Sequence, residues 1–191
     1  MTDSTTQDRT GKRERLVAGA AQLIHRQGVE RTTLAEIAQA ADVPPGNVYY
    51  YFKTKDALGE AHLESQLADY RGLRERWEER GDARDRLASF VQMTLDNRRQ
   101  LARSGCPIGS LCTELHKHRG PLPEQASRLF ADWLAWLEDQ FRDLGQGDDS
   151  ADLAVHLLSV LQGATLLSHS FGNPKYVEAE ARRLLDWIGT L

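Results

Sequence analysis

The sequence predicts an all-α protein, with a small N-terminal helix-turn-helix head on a larger helical body. Apolar residues recur at three- and four-residue spacing along most of the chain, and no stretch alternates apolar and polar residues convincingly. Gly, Pro and capping residues cut this pattern into segments of helical length. Basic residues gather at one end. Between Arg9 and Lys55 eight Lys/Arg stand against four acids, a net +4 that leaves −8 for the rest of a chain whose formal charge is −4.

The punctuation places each element in turn. Residues 1–8 are polar and are expected to form a disordered tail. Over about 10–27, Leu16, Ala20, Leu23 and Ile24 share one face, and Gly28 suits a C-terminal cap. Thr33-Leu-Ala-Glu36 fits a capping box, and Leu34, Ile37, Ala38 and Ala41 follow it at helical spacing. Asp42-Val43 reads as a short turn. Pro45 suits the first position of a helix running to about Phe52, because proline's missing N–H is not needed there. Thr54 caps a long helix from Lys55 to about Arg80, closed by Gly81. A helix is then expected over about 82–102, ended by Ser104-Gly105, and a short one after Pro107. Gly120-Pro-Leu-Pro123 precedes a helix ending near Leu144. After the loop 145–150 the last two helices span about 152–171 and, beyond Gly172-Asn-Pro174, up to Ile188.

Composition excludes several classes. Hydrophobic residues are 40% and charged residues 27%, and 191 residues can bury a core without disulfides or a structural metal. Unbroken apolar runs are only a few residues, far short of the ~20 that span a membrane, and Met1 to Arg9 lacks a signal peptide's apolar segment. The two cysteines, Cys106 and Cys112, form no disulfide framework; six residues along a helix separate their Cα atoms by ~9 Å, beyond the ~7 Å limit. A cytoplasmic protein with no membrane association is expected. No nucleophile–base–orienter set, P-loop or dinucleotide fingerprint occurs, so neither enzyme activity nor a cofactor is expected. His116 and His118 point apart on a helix and no other metal-ligand spacing appears, so no metal site is expected.

The second short helix carries the chemistry. At 100° per residue, Val48, Tyr51 and Phe52 fall together as a core face, while Gly46, Tyr50 and Lys53 fall opposite, flanked by Asn47 and Tyr49. That outer face, opened by Pro45, offers a glycine for close approach, an amide for a base edge, two phenols and a cation. Lys55 in the first turn of its helix opposes the macrodipole, unless a phosphate docks there and is shared by the cation and the helix amides.

Residues 32–41, TTLAEIAQAA, and 43–58, VPPGNVYYYFKTKDAL, resemble the tetracycline-repressor (TetR) family over roughly residues 10–58, with a specific Tyr-x-Tyr-Phe-x-x-Lys ending. The resemblance implies a dimeric transcription regulator, usually a repressor released from double-stranded operator DNA by a small ligand. It implies phosphate contacts by Thr33, Tyr49 and Lys55, and groove contacts by Gly46, Asn47 and Tyr50. Pro44 departs from the family, which often has a capping Ser or Thr there. The expected organisation is a DNA-binding domain at 9–58, its helix-turn-helix at about 33–52, and a ligand-binding and dimerisation domain at 59–191.

In the body, the 152–171 segment is apolar nearly all round, so it must be buried on two sides. A homodimer seam through this helix and the last one satisfies that, with Leu157, Leu161, Gly163, Ala164, Leu184 and Trp187 as its candidates. Phe130, Trp133 and Leu137 share a face and, with Met93, Cys106, His116 and His169, are candidates for the pocket of a small hydrophobic or aromatic effector. Cys106, just before Pro107 at a helix start, is alternatively a thiol that senses oxidants or electrophiles.

Overall fold

The computed structural model describes residues 3–79, 81–117 and 122–191, with side chains from residue 11 on. Every long element among them is helical: α1 (Asp3–Gln27), α2 (Leu34–Ala40), α3 (Pro45–Tyr51), α4 (Lys55–Glu78), α5 (Ala83–Asp96), α6 (Arg98–Ser104), α7 (Pro107–Leu115), α8 (Leu122–Asp143), α9 (Ser150–Phe171) and α10 (Lys175–Thr190). A 3-10 turn at Gly147–Asp149 leads into α9.

Local sequence explains most of the ends. Thr33 and Glu36 make the reciprocal capping box, Thr54 Oγ1 accepts the Ala57 N–H at 3.0 Å, and Asp82 caps α5 by accepting the Asp85 N–H at 3.0 Å. Gly28 ends α1 at φ +85°, and Gly172 ends α9 at φ +60°. Two ends differ from the sequence reading. The first helix is described from Asp3, so residues 3–8 are helical where a tail is expected. The helix expected over 82–102 is two helices. Asn97 leaves the helical path, its Nδ2 donating to the Met93 carbonyl at 2.8 Å; a short amide side chain competing for backbone partners breaks a helix in this way.

The chain forms two compact units. The first comprises the described residues up to Ala68 together with those of 110–126. Leu16, Ala20 and Leu23 of α1 pack with Ile37 and Ala38 of α2, Val48 of α3 and Leu58 of α4 in one buried cluster. The second unit comprises 69–109 and 127–191. There α10 packs on α5 and α9, and α9 packs on α6. Its core includes Leu87, Phe90, Val91, Phe141, Leu157, Leu161, Val177, Leu184 and Ile188. The 22-residue α9 is long and apolar enough to cross a membrane by length and composition alone. Its Ala154, Leu157, Leu158, Leu161 and Ala164 are instead buried within the protein.

Candidate nucleic-acid interface

The turn between α2 and α3 sets the angle of the two helices. Val43 N–H bonds to the Ala38 carbonyl at 2.9 Å and Asp42 N–H to the Gln39 carbonyl at 3.2 Å, with Asp42 left-handed at φ 52°. This is a Schellman closure in which aspartate takes the place usually held by glycine. The closure buries Val43 beneath the turn. Arg15 Nε donates to the Ala41 carbonyl at 3.1 Å, so a cation from α1 satisfies the C-terminal end of α2.

With that angle set, α3 divides as its wheel predicts. Val48 and Phe52 are buried, and Tyr51 is half-buried with its ring edge-on to Tyr50. Pro45, Gly46 and Asn47 are exposed, while Tyr49 is 58% and Tyr50 56% exposed. Two large phenols left this far in solvent beside an amide form a surface suited to phosphates and base edges. Lys53 is exposed but does not continue the helical face: α3 ends at Tyr51 and Phe52 is extended, which puts Lys53 on the bend before α4.

Thr33 and Lys55 are already engaged. The Thr33 N–H and hydroxyl both donate to Glu36 Oε2 at 2.8 Å, and the hydroxyl oxygen accepts the Glu36 N–H at 3.2 Å. The Thr33 backbone N–H, then its hydroxyl, then Gln27 hold the Glu36 carboxyl below its ordinary range, with the Lys55 charge adding to them. Lys55 Nζ donates to the Glu30 carbonyl at 3.2 Å. An ammonium has three N–H donors, so this bond orients Lys55 without exhausting it.

Two family models match the chain. One, for bacterial regulatory proteins of the tetR family, covers residues 16–61; the other, for the C-terminal domain of LmrA/YxaF-like transcriptional regulators, covers residues 83–182. The second alone spans just over half the chain. The chain is a TetR-family transcriptional regulator. An HTH-type transcriptional regulator of Mycobacterium tuberculosis is 29% identical over 83% of this chain and 84% of its own length. The HTH-type transcriptional repressor NemR of Escherichia coli is 36% identical over 54% of this chain and 51% of its own. In fold the chain is like the reduced form of E. coli NemR, at a TM-score of 0.77 and 24% identity over 92% of this chain and 96% of that one. It is likewise like a TetR-family regulator of Legionella pneumophila, at 0.81 and 21% over 90% and 94%.

The C-terminal part of this TetR-family chain is the part least foreseen from sequence. Of the pocket candidates, Leu137 is fully buried and Trp133 nearly so, in an aromatic cluster with Tyr70, Trp77, Phe90 and Trp136. Met93 and Phe130 are half-buried, whereas His169 is exposed, its Nδ1 3.4 Å from the Ala102 carbonyl. His116 belongs to the first unit and is exposed, its Nδ1 2.9 Å from the Cys112 carbonyl; His118 lies outside the described residues. Cys106 is half-buried, and its Sγ accepts N–H groups from Gly109 at 3.3 Å and Gln162 at 3.5 Å. Burial, with Cys106 and Asp69 nearby, raises the Tyr70 phenol above its ordinary range.

The seam candidates need correction. Leu157, Leu161, Ala164 and Leu184 are buried in the chain's own core and cannot also furnish a surface. Trp187 is half-buried against Phe141 and His156, and only Gly163 of the set is exposed. What α9 and the start of α10 do expose is Val155, Leu166 (65%), Leu167, Phe171 (67%) and Tyr176, with the Phe171 and Tyr176 rings tilted against each other at 5.6 Å. Tyr176 lies in α10, whereas the other four lie in the segment that the sequence marks as apolar nearly all round. The periodicity could not sort them, because an all-round apolar helix has no hydrophobic face to read.

Proposed function

We propose that the protein is a homodimeric repressor that holds a partly palindromic operator with α3 and is released by a small hydrophobic or aromatic ligand. The observation that carries the DNA contact is α3 itself. Val48 and Phe52 anchor it while Gly46, Asn47, Tyr49 and Tyr50 stand in solvent. In this reading Tyr49 and Lys55 bind phosphate, and Gly46, Asn47 and Tyr50 meet the groove. Pro45 starts the helix at that surface, and Lys53 adds charge from the bend. Thr33 reaches phosphate only by exchanging Glu36, so its first role is the cap. The names of two relatives, the repressors NemR of E. coli and DhaR of a Mycobacterium species, support the repressor mode.

The test is salt-dependent gel-shift binding to DNA from upstream of its own gene. Lys55→Ala and Tyr49→Phe are expected to weaken binding to all sequences alike, and Lys55→Ala to lower the salt slope by about one. Asn47→Ala is expected to relax preference at particular base pairs, at a cost of roughly 1–3 kcal/mol there. Unchanged affinity and preference in all three variants would remove α3 as the reading helix.

For the ligand, the aromatic cluster supports a hydrophobic site in the second unit. Trp133 is so buried that Trp133→Ala deletes core packing, at about 3–5 kcal/mol. Half-buried Phe130 is the cleaner probe. A second reading is a thiol sensor at half-buried Cys106, whose Sγ accepts N–H groups from Gly109 and Gln162. Cys106→Ser abolishes release by oxidants or electrophiles if that reading holds, and leaves it intact otherwise.

A further inference from the structure

Glu114, near the end of α7, is 84 and 85 residues from the backbone groups it holds. Its Oε2 accepts the Val29 N–H at 2.9 Å and its Oε1 the Glu30 N–H at 2.8 Å. These are charge-assisted bonds to consecutive amides of the turn between α1 and α2, and all the partners lie in the first unit. The carboxylate also presses on Gly28, where a Cβ would stand 2.9 Å from Oε2 at a φ of +85°. The same turn is closed from within by Thr32, whose hydroxyl donates to the Gly28 carbonyl at 2.6 Å. Its far side is the Glu30 carbonyl, to which Lys55 Nζ donates. One peptide segment thus has Glu114 on its amides and Lys55 on its carbonyl, and it leads directly into the Thr33 cap of α2.

We propose that Glu114 is a positioning residue for DNA binding: by fixing the Val29–Glu30 amides it fixes the Glu30 carbonyl, and through it the direction of the Lys55 ammonium. The proposal rests on the reading of Lys55 as a phosphate contact. It runs against simple electrostatics. Glu114 is an acid on the DNA-binding unit, so deleting its charge ought by itself to tighten binding to a polyanion. If Glu114 works by holding Lys55, deleting it weakens binding instead.

The experiment measures the salt slope of binding by the full-length protein to a duplex from upstream of its own gene. The proteins are wild type, Lys55→Ala, Glu114→Ala, Glu114→Gln and the Lys55→Ala/Glu114→Ala double variant. Thermal melts of each monitor the fold. Lys55→Ala is expected to lower the slope by about one. Glu114→Ala is expected to lose affinity and a comparable part of that slope, and the double variant to lose no more slope than Lys55→Ala alone. Glu114→Gln keeps one acceptor oxygen and the side-chain shape, so it is expected to fall between wild type and Glu114→Ala. It carries the test if the alanine variant melts early. Binding by Glu114→Ala or Glu114→Gln at or above wild-type affinity with an unchanged slope overturns the proposal, as do slope losses that simply add. If the wild type shows no salt-dependent binding, or Lys55→Ala leaves the slope unchanged, the Lys55 reading fails and takes this inference with it. If those two behave as expected and the Glu114 variants do not, only this inference fails.

Discussion

A methyl group added at Gly46 meets no heavy atom within 4 Å beyond its own stretch of helix, so the fold of the chain does not require glycine there. The substitution therefore separates stability from binding. In a helix, alanine is favoured over glycine by roughly 0.5–1 kcal/mol. Gly46→Ala is expected to raise the melting temperature slightly while lowering operator affinity, because in the proposed reading the methyl group would stand where the helix approaches the groove. If the alanine variant binds DNA as tightly as wild type, Gly46 does not face the groove floor. Asp42 is the opposite case, a residue whose own fold asks for glycine. At φ 52° it adopts a conformation that strains most L-residues and that aspartate tolerates better than most.

Among the elements, α2 carries a reciprocal capping box made by one exposed pair, Thr33 and Glu36. Thr33→Ala removes the hydroxyl that caps the Glu36 amide and is expected to cost about 1 kcal/mol, read from a denaturant midpoint. The Glu36 carboxyl adds a pH dependence. Its pKa in the folded protein lies below the ordinary 4.5 because the Thr33 amide, the Thr33 hydroxyl and Gln27 all favour the charged form. A depressed folded pKa means that the stabilisation is complete above the unfolded value and is lost as pH falls through the lower, folded one. The wild-type melting temperature is accordingly expected to fall more steeply below about pH 4.5 than that of Glu36→Gln. Parallel curves would show that the carboxylate contributes nothing there. The capping box was legible because its two residues are three apart in sequence. The break at Asn97 was not, since helical spacing continues across it and only the side chain's turn toward the Met93 carbonyl ends α5.

At the scale of the molecule, the exposed side of α9 is where the proposed homodimer would form. Val155, Leu166, Leu167, Phe171 and Tyr176 are an exposed apolar group of the kind that marks an interface. A twofold copy would cover it and give two recognition helices for two half-sites. Leu167→Glu is expected to give a folded monomer by light scattering, with a salt slope for DNA near half that of wild type because one head is lost. Gly163→Glu serves as a companion, since a Cβ there meets no heavy atom within 4 Å beyond its own stretch of helix. Leu161→Glu is the contrast: it puts a charge into the core and is expected to unfold the second unit. A Leu167→Glu variant that remains dimeric would move the interface elsewhere.

By itself the sequence determined whatever depends on residues within a turn or two of one another: the helical class, the capping box, the glycine closures, and the buried and exposed sides of α3. These are set by hydrogen bonds and periodicities of three or four residues, which the order of side chains spells out directly. Only the tertiary structure decided which sides of the nearly all-apolar α9 face inward, moving Leu157 and Leu161 into the core and leaving Leu166 and Phe171 outside. It also drew Trp133 into an aromatic cluster and brought Glu114 onto the amides of Val29 and Glu30. Burial depends on which distant segments meet, and a carboxylate that binds backbone amides needs no particular residue type at the other end. Such a contact therefore leaves no pattern in the sequence for a reader to find.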